Sequence, residues 1–165
     1  MEPPKPRTVV RPATEGDLDA MVELLRQLFS IEADFRPDAR RKRQGLRLLL
    51  RDPDRCVLLV AERAGRVIGM VTVQLVVSTA EGATSGLLED MVVEERARGD
   101  GVGARLLQAA EAWAFDRGAT RIQLLADQMN RPALRFYRRM GWAGTQLVCL
   151  RRGGVRAARR AAAAP

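Results

Sequence analysis

A glycine-rich turn between a predicted strand and a predicted helix carries the residues whose chemistry is easiest to infer. The strand ends near Val93, and Gly99, Gly101 and Gly103 follow before a run of helix-forming residues. Such a turn points several backbone N–H groups one way, and the helix N-terminus adds roughly half a positive charge. The glycines let a ligand approach the backbone closely. The segment therefore predicts a site for a phosphate or a pyrophosphate.

The spacing of these glycines excludes two common nucleotide-binding motifs. The dinucleotide pattern GxGxxG fails because Leu106 stands at its third glycine position, and the chain has no Gly-Lys-Ser/Thr for a Walker loop. The anion is therefore expected to belong to a ligand other than NAD or ATP.

The composition also narrows the catalytic chemistry. The chain has no histidine, and its two cysteines, Cys56 and Cys149, lie in apolar runs without CxxC spacing. Ser-His and Cys-His nucleophile pairs are thereby excluded, and the usual zinc sites are not expected, so the sequence predicts no metal. Proton transfer falls to carboxylates, tyrosine, lysine, the backbone or water.

The elements that must position the glycine turn can be predicted from periodicity and from turn residues. Together they indicate an α/β layer structure with a mixed, largely antiparallel sheet and one βαβ unit at its centre. The predicted strands are Thr8–Arg11, Cys56–Ala61, Val67–Thr79, Leu87–Val93 and Thr120–Ala126, with a hairpin turn at Glu62–Gly65, a loop at Glu81–Gly86 and a last hairpin of Trp142 and Thr145–Leu150. The predicted helices begin near Thr14 and Asp17, run from Pro37 to about Arg51, from about Gly101 to Arg117, and from Pro132 to Met140.

Length and charge predict one domain with a basic tail. At 165 residues and 47% apolar content, the chain is expected to form a single domain over residues 1–152. Residues 153–165, rich in Arg and Ala, are predicted to be a mobile tail. Much of the net charge of +8 comes from the five arginines after residue 150, because residues 1–150 have a net charge of only +3. Because no membrane span or secretory signal is evident, we expect a cytoplasmic protein.

Two segments in order resemble the GNAT superfamily of N-acetyltransferases. That family's acetyl-CoA motif is Arg/Gln-x-x-Gly-x-Gly/Ala. Its three specified positions are occupied here by Arg98, Gly101 and Gly103. The segment from Asn130 to Trp142 is similar to the family pattern Asn-x-x-Ala-x-x-Phe-Tyr-x-x-x-Gly-Phe, with Trp142 in place of the last Phe. The likeness spans about residues 8–150.

The resemblance implies a fold, an activity and a set of binding residues. The implied fold has three layers, with about six to seven strands, about four helices and splayed central parallel strands. The implied activity is direct transfer of an acetyl group from acetyl-CoA, a co-substrate, to a primary amine of a small molecule or peptide. The loop amides would bind the pyrophosphate of CoA, and the last strand residues and Asn130 would bind the pantetheine arm. The implied cofactor-binding set is Met91, Val92, Val93, Arg98, Gly99, Asp100, Gly101, Val102, Gly103, Ala104, Asn130 and Tyr137.

Two catalytic roles follow from the same resemblance. Tyr137 stands where the family's general acid protonates the departing thiolate, although a tyrosine beside Phe136 can equally be a packing residue. Glu89 is the candidate base, in a Leu-Glu-Asp run similar to that of small polyamine acetyltransferases, although it can equally be an ion-paired structural carboxylate. Strand alternation places Asp90 on the opposite face and does not choose between the two acids.

Three alternatives stay open at this level. The chain can be a GNAT-like module that binds acyl-CoA without catalysis, or an acyltransferase with a longer acyl chain or an alcohol acceptor. It can also be a nucleic-acid-associated protein that uses the basic residues between Arg36 and Arg51 and the tail, although stacking aromatics are scarce. The acceptor is expected to meet residues 29–40, residues 79–86 and the last hairpin, and a homodimer is possible.

Overall fold

The computed structural model describes residues 6–29 and 38–152. These residues fall into two compact units that divide after Asp127, and each unit is described by itself. The first unit contains β1 (Thr8–Pro12), α1 (Leu18–Phe29), α2 (Ala39–Leu50), β2 (Cys56–Arg63), β3 (Arg66–Ser78), β4 (Ala83–Val93), α3 (Val102–Asp116) and β5 (Ala119–Leu124). The second unit contains α4 (Arg131–Arg139). Short 3-10 turns, Glu15–Asp17 and Glu95–Ala97, precede α1 and α3.

The sheet is mixed and mostly antiparallel, as predicted. Its order is β1-β2-β3-β4-β5, in which the first three pairings are antiparallel and the last, between β4 and β5, is parallel. The parallel pair with its crossover helix confirms the βαβ unit. Within the described residues the sheet has five strands, fewer than the six to seven expected, and the parallel pair lies at its edge instead of its centre.

The predicted last hairpin accounts for this difference, and that prediction was wrong. Residues 141–150 form no strand, and Leu147, Val148 and Leu150 are 83%, 73% and 90% exposed. Strand propensity reflects how a side chain fits a paired, half-buried pleated surface. The segment has β-forming residues, but it has no such surface here.

The loop predicted at Glu81–Gly86 is shorter than expected, because β4 already begins at Ala83. Ser85 and Gly86 are buried opposite Val76 and Leu75 of β3. A Cβ added at Gly86 would lie 3.0 Å from Ile122 Cγ1, so the glycine permits close packing of β4 against β5. The small polar residues therefore mark a tightly packed strand start and not a loop.

The remaining element predictions hold to within a few residues. Ala64 and Gly65 form the predicted hairpin turn with φ of 50° and 74°, the positive pair that a two-residue hairpin requires. Helix α2 begins at Ala39 after Asp38, whose carboxylate accepts a hydrogen bond from the Arg41 N–H at 3.0 Å. Pro37, where this helix was predicted to begin, lies outside the described residues, as does the tail 153–165.

The first unit has three layers. On one face of the sheet, α1 and α2 pack on β2, β3 and β4 through a cluster of buried apolar residues: Leu18, Met21, Leu24, Leu25, Leu46, Leu58, Val60, Met70 and Val92. Gly69 precedes Met70 in β3 and therefore faces the other side of the sheet. A Cβ added there would lie 3.1 Å from Leu106 Cδ1 of α3. Helix α3 thus covers the second face, and its N-terminus lies near the end of β4.

Candidate active site

Strand β4 continues past the point where β5 stops pairing with it. The parallel register runs from Thr84 opposite Ala119 to Leu88 opposite Leu124, the last residue of β5. On the other side, β4 stays paired with β3 as far as Val93. The backbone from Glu89 to Val93 therefore extends beyond β5 along one edge.

A β-bulge interrupts β4 at the start of this extension. Leu88 pairs with Val73 and Met91 pairs with Val71, so two residues of β4, Glu89 and Asp90, lie opposite the single residue Thr72. Thr72 is fully buried, and its Oγ1 accepts a hydrogen bond from the Asp90 N–H at 3.1 Å. The hydroxyl satisfies a donor that the bulge removes from the ladder.

The bulge overturns the alternation expected for Glu89 and Asp90. Leu88 and Met91 are three residues apart, yet both oppose residues of the same face of β3. Because Glu89 and Asp90 both lie opposite Thr72, the alternation of side chains along a regular strand does not assign the two carboxylates to opposite faces of the sheet. Glu89 is exposed and Asp90 is half-buried.

The glycine turn adopts the backbone conformation that its sequence requires. Gly99 and Gly101 have φ of 84° and 76°, and Gly101 is the N-cap of α3. A Cβ at either position would meet no atom within 4 Å, so the glycines are required for their backbone angles and leave open space in front of the turn. This is the close access that an anion bound to backbone amides needs.

The first turn of α3 supplies the donors. The Arg105 N–H donates to the Gly101 carbonyl at 3.2 Å, so the amides of Val102, Gly103 and Ala104 come before the first intrahelical bond. The Arg98 amide, by contrast, donates to the Glu95 carbonyl at 3.2 Å. Of the amides predicted to bind an anion, those at the start of α3 are therefore better placed than that of Arg98.

Two arginines hold the turn in place. Arg98 Nε donates to the carbonyl of Val93, the last residue of β4, at 3.0 Å. Arg63, the last residue of β2, donates from Nη1 to Asp100 Oδ2 at 2.8 Å and from Nε to Thr8 Oγ1 at 2.9 Å. The turn is thus fastened to β4 at its start and to the β2–β3 hairpin at its middle.

In the second unit, Asn130 caps α4. Its Oδ1 accepts a hydrogen bond from the Ala133 N–H at 3.2 Å, and Pro132 lies in the first turn. The predicted start of this helix is confirmed, with Asn130 in a capping role that uses its carbonyl oxygen. The binding role implied for Asn130 stays a prediction.

Tyr137 lies between two aromatic rings of the same unit. Its ring centroid is 5.3 Å from that of Phe136, edge on, and 5.7 Å from that of Trp142. The side chain is half-buried, and this burial raises the pKa of Tyr137 to about 12. The phenol is therefore neutral over the whole physiological range, whether it acts as an acid or as a packing residue.

The basic face of α2 is largely engaged within the first unit. Arg41, Arg43 and Arg47 form ion pairs with Asp38, Asp19 and Glu15. Lys42 Nζ donates to the Leu25 carbonyl at 3.4 Å and lies 4.8 Å from the centre of the Phe29 ring. Much of the positive charge of α2 that suggested nucleic-acid binding is thus neutralised by ion pairs or contacts α1.

The structure brings together the predicted residues of the first unit. Glu89, Met91–Val93 and Arg98–Ala104 follow one another along the end of β4, the 3-10 turn and the start of α3. Asn130 and Tyr137 belong to the second unit. The sequence analysis did not identify Thr72 or Arg63. The one signal for Arg63 was Asp100, because an acid inside a predicted anion-binding turn requires a nearby cation.

Residues 6–29 and 38–152 contain no group of three or more Cys, Asp or Glu residues that could hold a metal ion. No helix of that part of the chain is both long and apolar enough to cross a bilayer.

Comparison with known proteins relates this chain to one family. A profile of the acetyltransferase (GNAT) family matches residues 18–142. The aminoalkylphosphonate N-acetyltransferase of Salmonella typhimurium is 32% identical over 133 residues, covering 81% of this chain and 83% of that protein. The aminoglycoside N(6')-acetyltransferase type 1 of Stenotrophomonas maltophilia is 32% identical over 112 residues, covering 66% and 69%. A solved aminoglycoside N-acetyltransferase in complex with CoA has the same fold, with a TM-score of 0.78 at 19% identity over 93% of this chain and 99% of that one.

Proposed function

Because the chain belongs to the acetyltransferase (GNAT) family, we propose that it transfers the acetyl group of acetyl-CoA directly to a primary amine of a small molecule or a peptide. The observation that carries this proposal is the glycine turn at the start of α3, which lies beside the extended end of β4. The two features together suit a ligand with an anionic group and a long amide-bearing arm, which is the chemistry of CoA.

The start of α3 is proposed to hold the pyrophosphate. Val102, Gly103 and Ala104 present amides ahead of the first intrahelical bond, and the helix dipole adds partial positive charge there. The positive φ of Gly99 and Gly101 and the open space at both positions let phosphate oxygens come within hydrogen-bond distance. Arg98 is proposed to act mainly by fixing the turn to Val93.

The backbone from Met91 to Val93 is proposed to bind the pantetheine arm in the manner of an added strand. This stretch lies beyond Leu88, the last residue of β4 that pairs with β5. An amide-bearing arm can alternate donors and acceptors with a strand edge as a peptide does. Asn130 is proposed to assist through its side-chain amide, since its Oδ1 serves the α4 cap.

Glu89 is proposed as the base that removes a proton from the attacking amine, directly or through water. A primary amine with a pKa near 10.4 is neutral in about one molecule in 2,500 at pH 7, so a nearby carboxylate has clear value. The exposure of Glu89 favours it over half-buried Asp90. The bulge opposite Thr72 keeps Asp90 as an alternative, because both acids share one position in the sheet.

Tyr137 is proposed as the group that supports the departing thiolate. Complete proton transfer from a phenol of pKa about 12 to a thiolate of pKa roughly 8.5 is uphill by about 3.5 pH units, on the order of 5 kcal/mol. We therefore propose that the hydroxyl first donates a hydrogen bond as the C–S bond breaks. The thiolate then takes its proton from the phenol only as the phenol is reprotonated by solvent.

The acceptor is proposed to be a small amine. The relatives that support this are named for aminoalkylphosphonates and aminoglycosides, both of which carry primary amines. The two classes of acceptor differ in the charge of the rest of the molecule, because a phosphonate is anionic and an aminoglycoside carries further amines. Acceptors of both kinds therefore have to be tested.

The test is a calorimetric titration of the purified full chain with acetyl-CoA, followed on the same sample by a thiol-release screen. The acceptor panel contains aminoalkylphosphonates, aminoglycosides, polyamines, amino acids and peptide N-termini. Micromolar binding with acceptor-dependent release of CoA thiol would support the proposal and name the acceptor class. Absence of binding at both low and moderate salt would contradict it.

A further inference from the structure

The turn proposed to bind an anion contains an acid. Asp100 is the only carboxylate between Arg98 and Ala104, and it stands between the two glycines of positive φ. A carboxylate here has the wrong charge for a phosphate neighbour. It also lies one residue before the N-cap of α3, within reach of the amides that the phosphate would use.

An arginine of the β2–β3 hairpin binds this carboxylate. Arg63 Nη1 donates to Asp100 Oδ2 at 2.8 Å, and both side chains are mostly buried, with 18% and 22% of their surface exposed. Arg63 is itself fixed, because its Nε donates to Thr8 Oγ1 at 2.9 Å and it ends β2 opposite Thr8 of β1. The N-cap of α3 is Gly101, which has no side chain that could cap the helix.

The surrounding contacts give this arrangement rigidity. Arg105, in the first turn of α3, donates from Nη1 to the Thr8 carbonyl at 3.2 Å. Thr8 thus contacts both the arginine that holds Asp100 and the helix that follows the turn. The hairpin, the turn and the start of α3 form one connected polar cluster: Thr8, Arg63, Asp100 and Arg105.

We propose that Arg63 is a positioning residue for acyl-CoA binding that acts through Asp100. It neutralises the carboxylate and holds it on the hairpin side of the turn, so that the amides of Val102, Gly103 and Ala104 remain available to the pyrophosphate. Without Arg63, Asp100 competes with the phosphate for these amides and repels it. The inference rests on the proposed function, since it concerns how that same loop binds its ligand.

A double-mutant cycle separates this role from simple structural support. Arg63→Met, Asp100→Asn and the double variant are titrated with acetyl-CoA by calorimetry, beside the wild-type chain. We expect Arg63→Met to bind about tenfold more weakly, ~1.4 kcal/mol, because it removes the cation that neutralises the Asp100 carboxylate beside the phosphate. Adding Asp100→Asn removes that charge and is expected to restore affinity to within about threefold of the wild type.

Rescue is the decisive result, because a merely structural ion pair predicts the opposite. If Arg63 only braces the turn, the double variant is as weak as Arg63→Met or weaker. That result, or an unchanged affinity of Arg63→Met, would overturn the inference while leaving the proposed function standing. A wild-type chain that does not bind acetyl-CoA would instead overturn the proposed function, and the inference with it.

Arg66→Met is the matched control. Arg66 lies on the same hairpin and loses an exposed ion pair with Glu94 at 3.2 Å, so its affinity for acetyl-CoA is expected to match the wild type. Thermal unfolding without ligand checks that each variant is folded. Should Arg63→Met fail to fold, Arg63→Gln, whose amide can still donate to Thr8, is measured in the same cycle against the same criteria.

Discussion

The chemistry of this chain depends on very few ionisable side chains. With no histidine in the sequence and one tyrosine, proton transfer at the proposed site falls to Glu89 or Asp90 and to Tyr137. Burial raises the pKa of the Tyr137 phenol, whereas Glu89 is exposed to water. The proposed base is thus exposed to solvent, and the proposed donor to the thiolate is half-buried. Each role can be tested by a substitution that keeps the shape of the side chain.

Tyr137→Phe tests the proposed hydroxyl. The substitution keeps the ring contacts with Phe136 and Trp142 and removes only the donor, so fold and acetyl-CoA affinity are expected to stay close to wild type. Turnover is expected to fall by roughly 10² to 10⁴. Because the pKa of Tyr137 is about 12, the wild-type rate is expected to show no loss from this group below about pH 11. Full activity of the variant would leave Tyr137 a packing residue.

Glu89→Gln and Asp90→Asn form a matched pair that identifies the base. Each replaces a carboxylate by an amide of the same size at one side of the bulge opposite Thr72. We expect Glu89→Gln to lower turnover by roughly 10² or more with little change in acetyl-CoA affinity, and Asp90→Asn to have the smaller effect. Steady-state rates with saturating acceptor measure this. The reverse order would assign the base to Asp90.

At the scale of elements, local signals predicted most boundaries. Thr14 followed by Asp17 marks a capping box, and the structure has that arrangement at the turn leading into α1. Pro132 and Gly141 bracket α4, whose last turn is followed by Gly141 with φ of 88°. These features were predictable because each depends on residues within one or two turns of chain.

Features set by a distant partner were not predictable. The bulge in β4 depends on Thr72, eighteen positions earlier, whose hydroxyl replaces a ladder acceptor for Asp90. Strict alternation, which predicted opposite faces for Glu89 and Asp90, therefore failed at these two residues. The strand prediction for Thr145–Leu150 failed for a related reason. β-forming residues form a strand only where a neighbouring strand pairs with them, and this segment has no such pairing.

Thr72→Val tests whether the bulge is held by that hydroxyl. The change is nearly isosteric in a fully buried position, and it leaves the Asp90 N–H without this acceptor. The expected cost is about 1–3 kcal/mol of unfolding free energy, measured by denaturant titration. Turnover should fall together with stability because the proposed base lies in the bulge. A variant as stable and as active as the wild type would show that backbone pairing alone sets the bulge.

At the scale of the molecule, one ion cluster joins segments that are far apart in sequence. Arg11 of β1 donates two hydrogen bonds to Asp17, at 2.8 and 2.9 Å, and two more to Glu62 of β2, 51 residues away. Asp17 Oδ2 also accepts the Thr14 N–H at 2.7 Å, so the carboxylate caps the 3-10 turn that leads into α1. The cluster fixes the first strand, the start of the first helix and the second strand to one another at the β1 edge of the sheet.

The buried carboxylate makes the stability of the first unit depend on pH in a defined direction. The Arg11 guanidinium, with help from Thr14, lowers the pKa of Asp17 from 3.8 to about 2 against the opposing effect of burial. A lowered folded-state pKa stabilises the fold above the unfolded value, and this stabilisation is lost as pH falls through the folded value. The shift corresponds to about 2 kcal/mol at neutral pH, which should disappear between roughly pH 4 and pH 2.

Asp17→Asn tests this linkage, because asparagine can still accept the Thr14 N–H but cannot pair with Arg11 as an ion. The unfolding free energy of the variant, from denaturant titrations at several pH values, is expected to lie about 2 kcal/mol below wild type at pH 7, with the gap closing toward pH 2. Glu23→Gln is the control, since Glu23 pairs with Arg26 on the exposed side of α1 and should change stability little at either pH. A gap that stays constant from pH 7 to pH 2 would mean that Asp17 acts through packing and not through its charge.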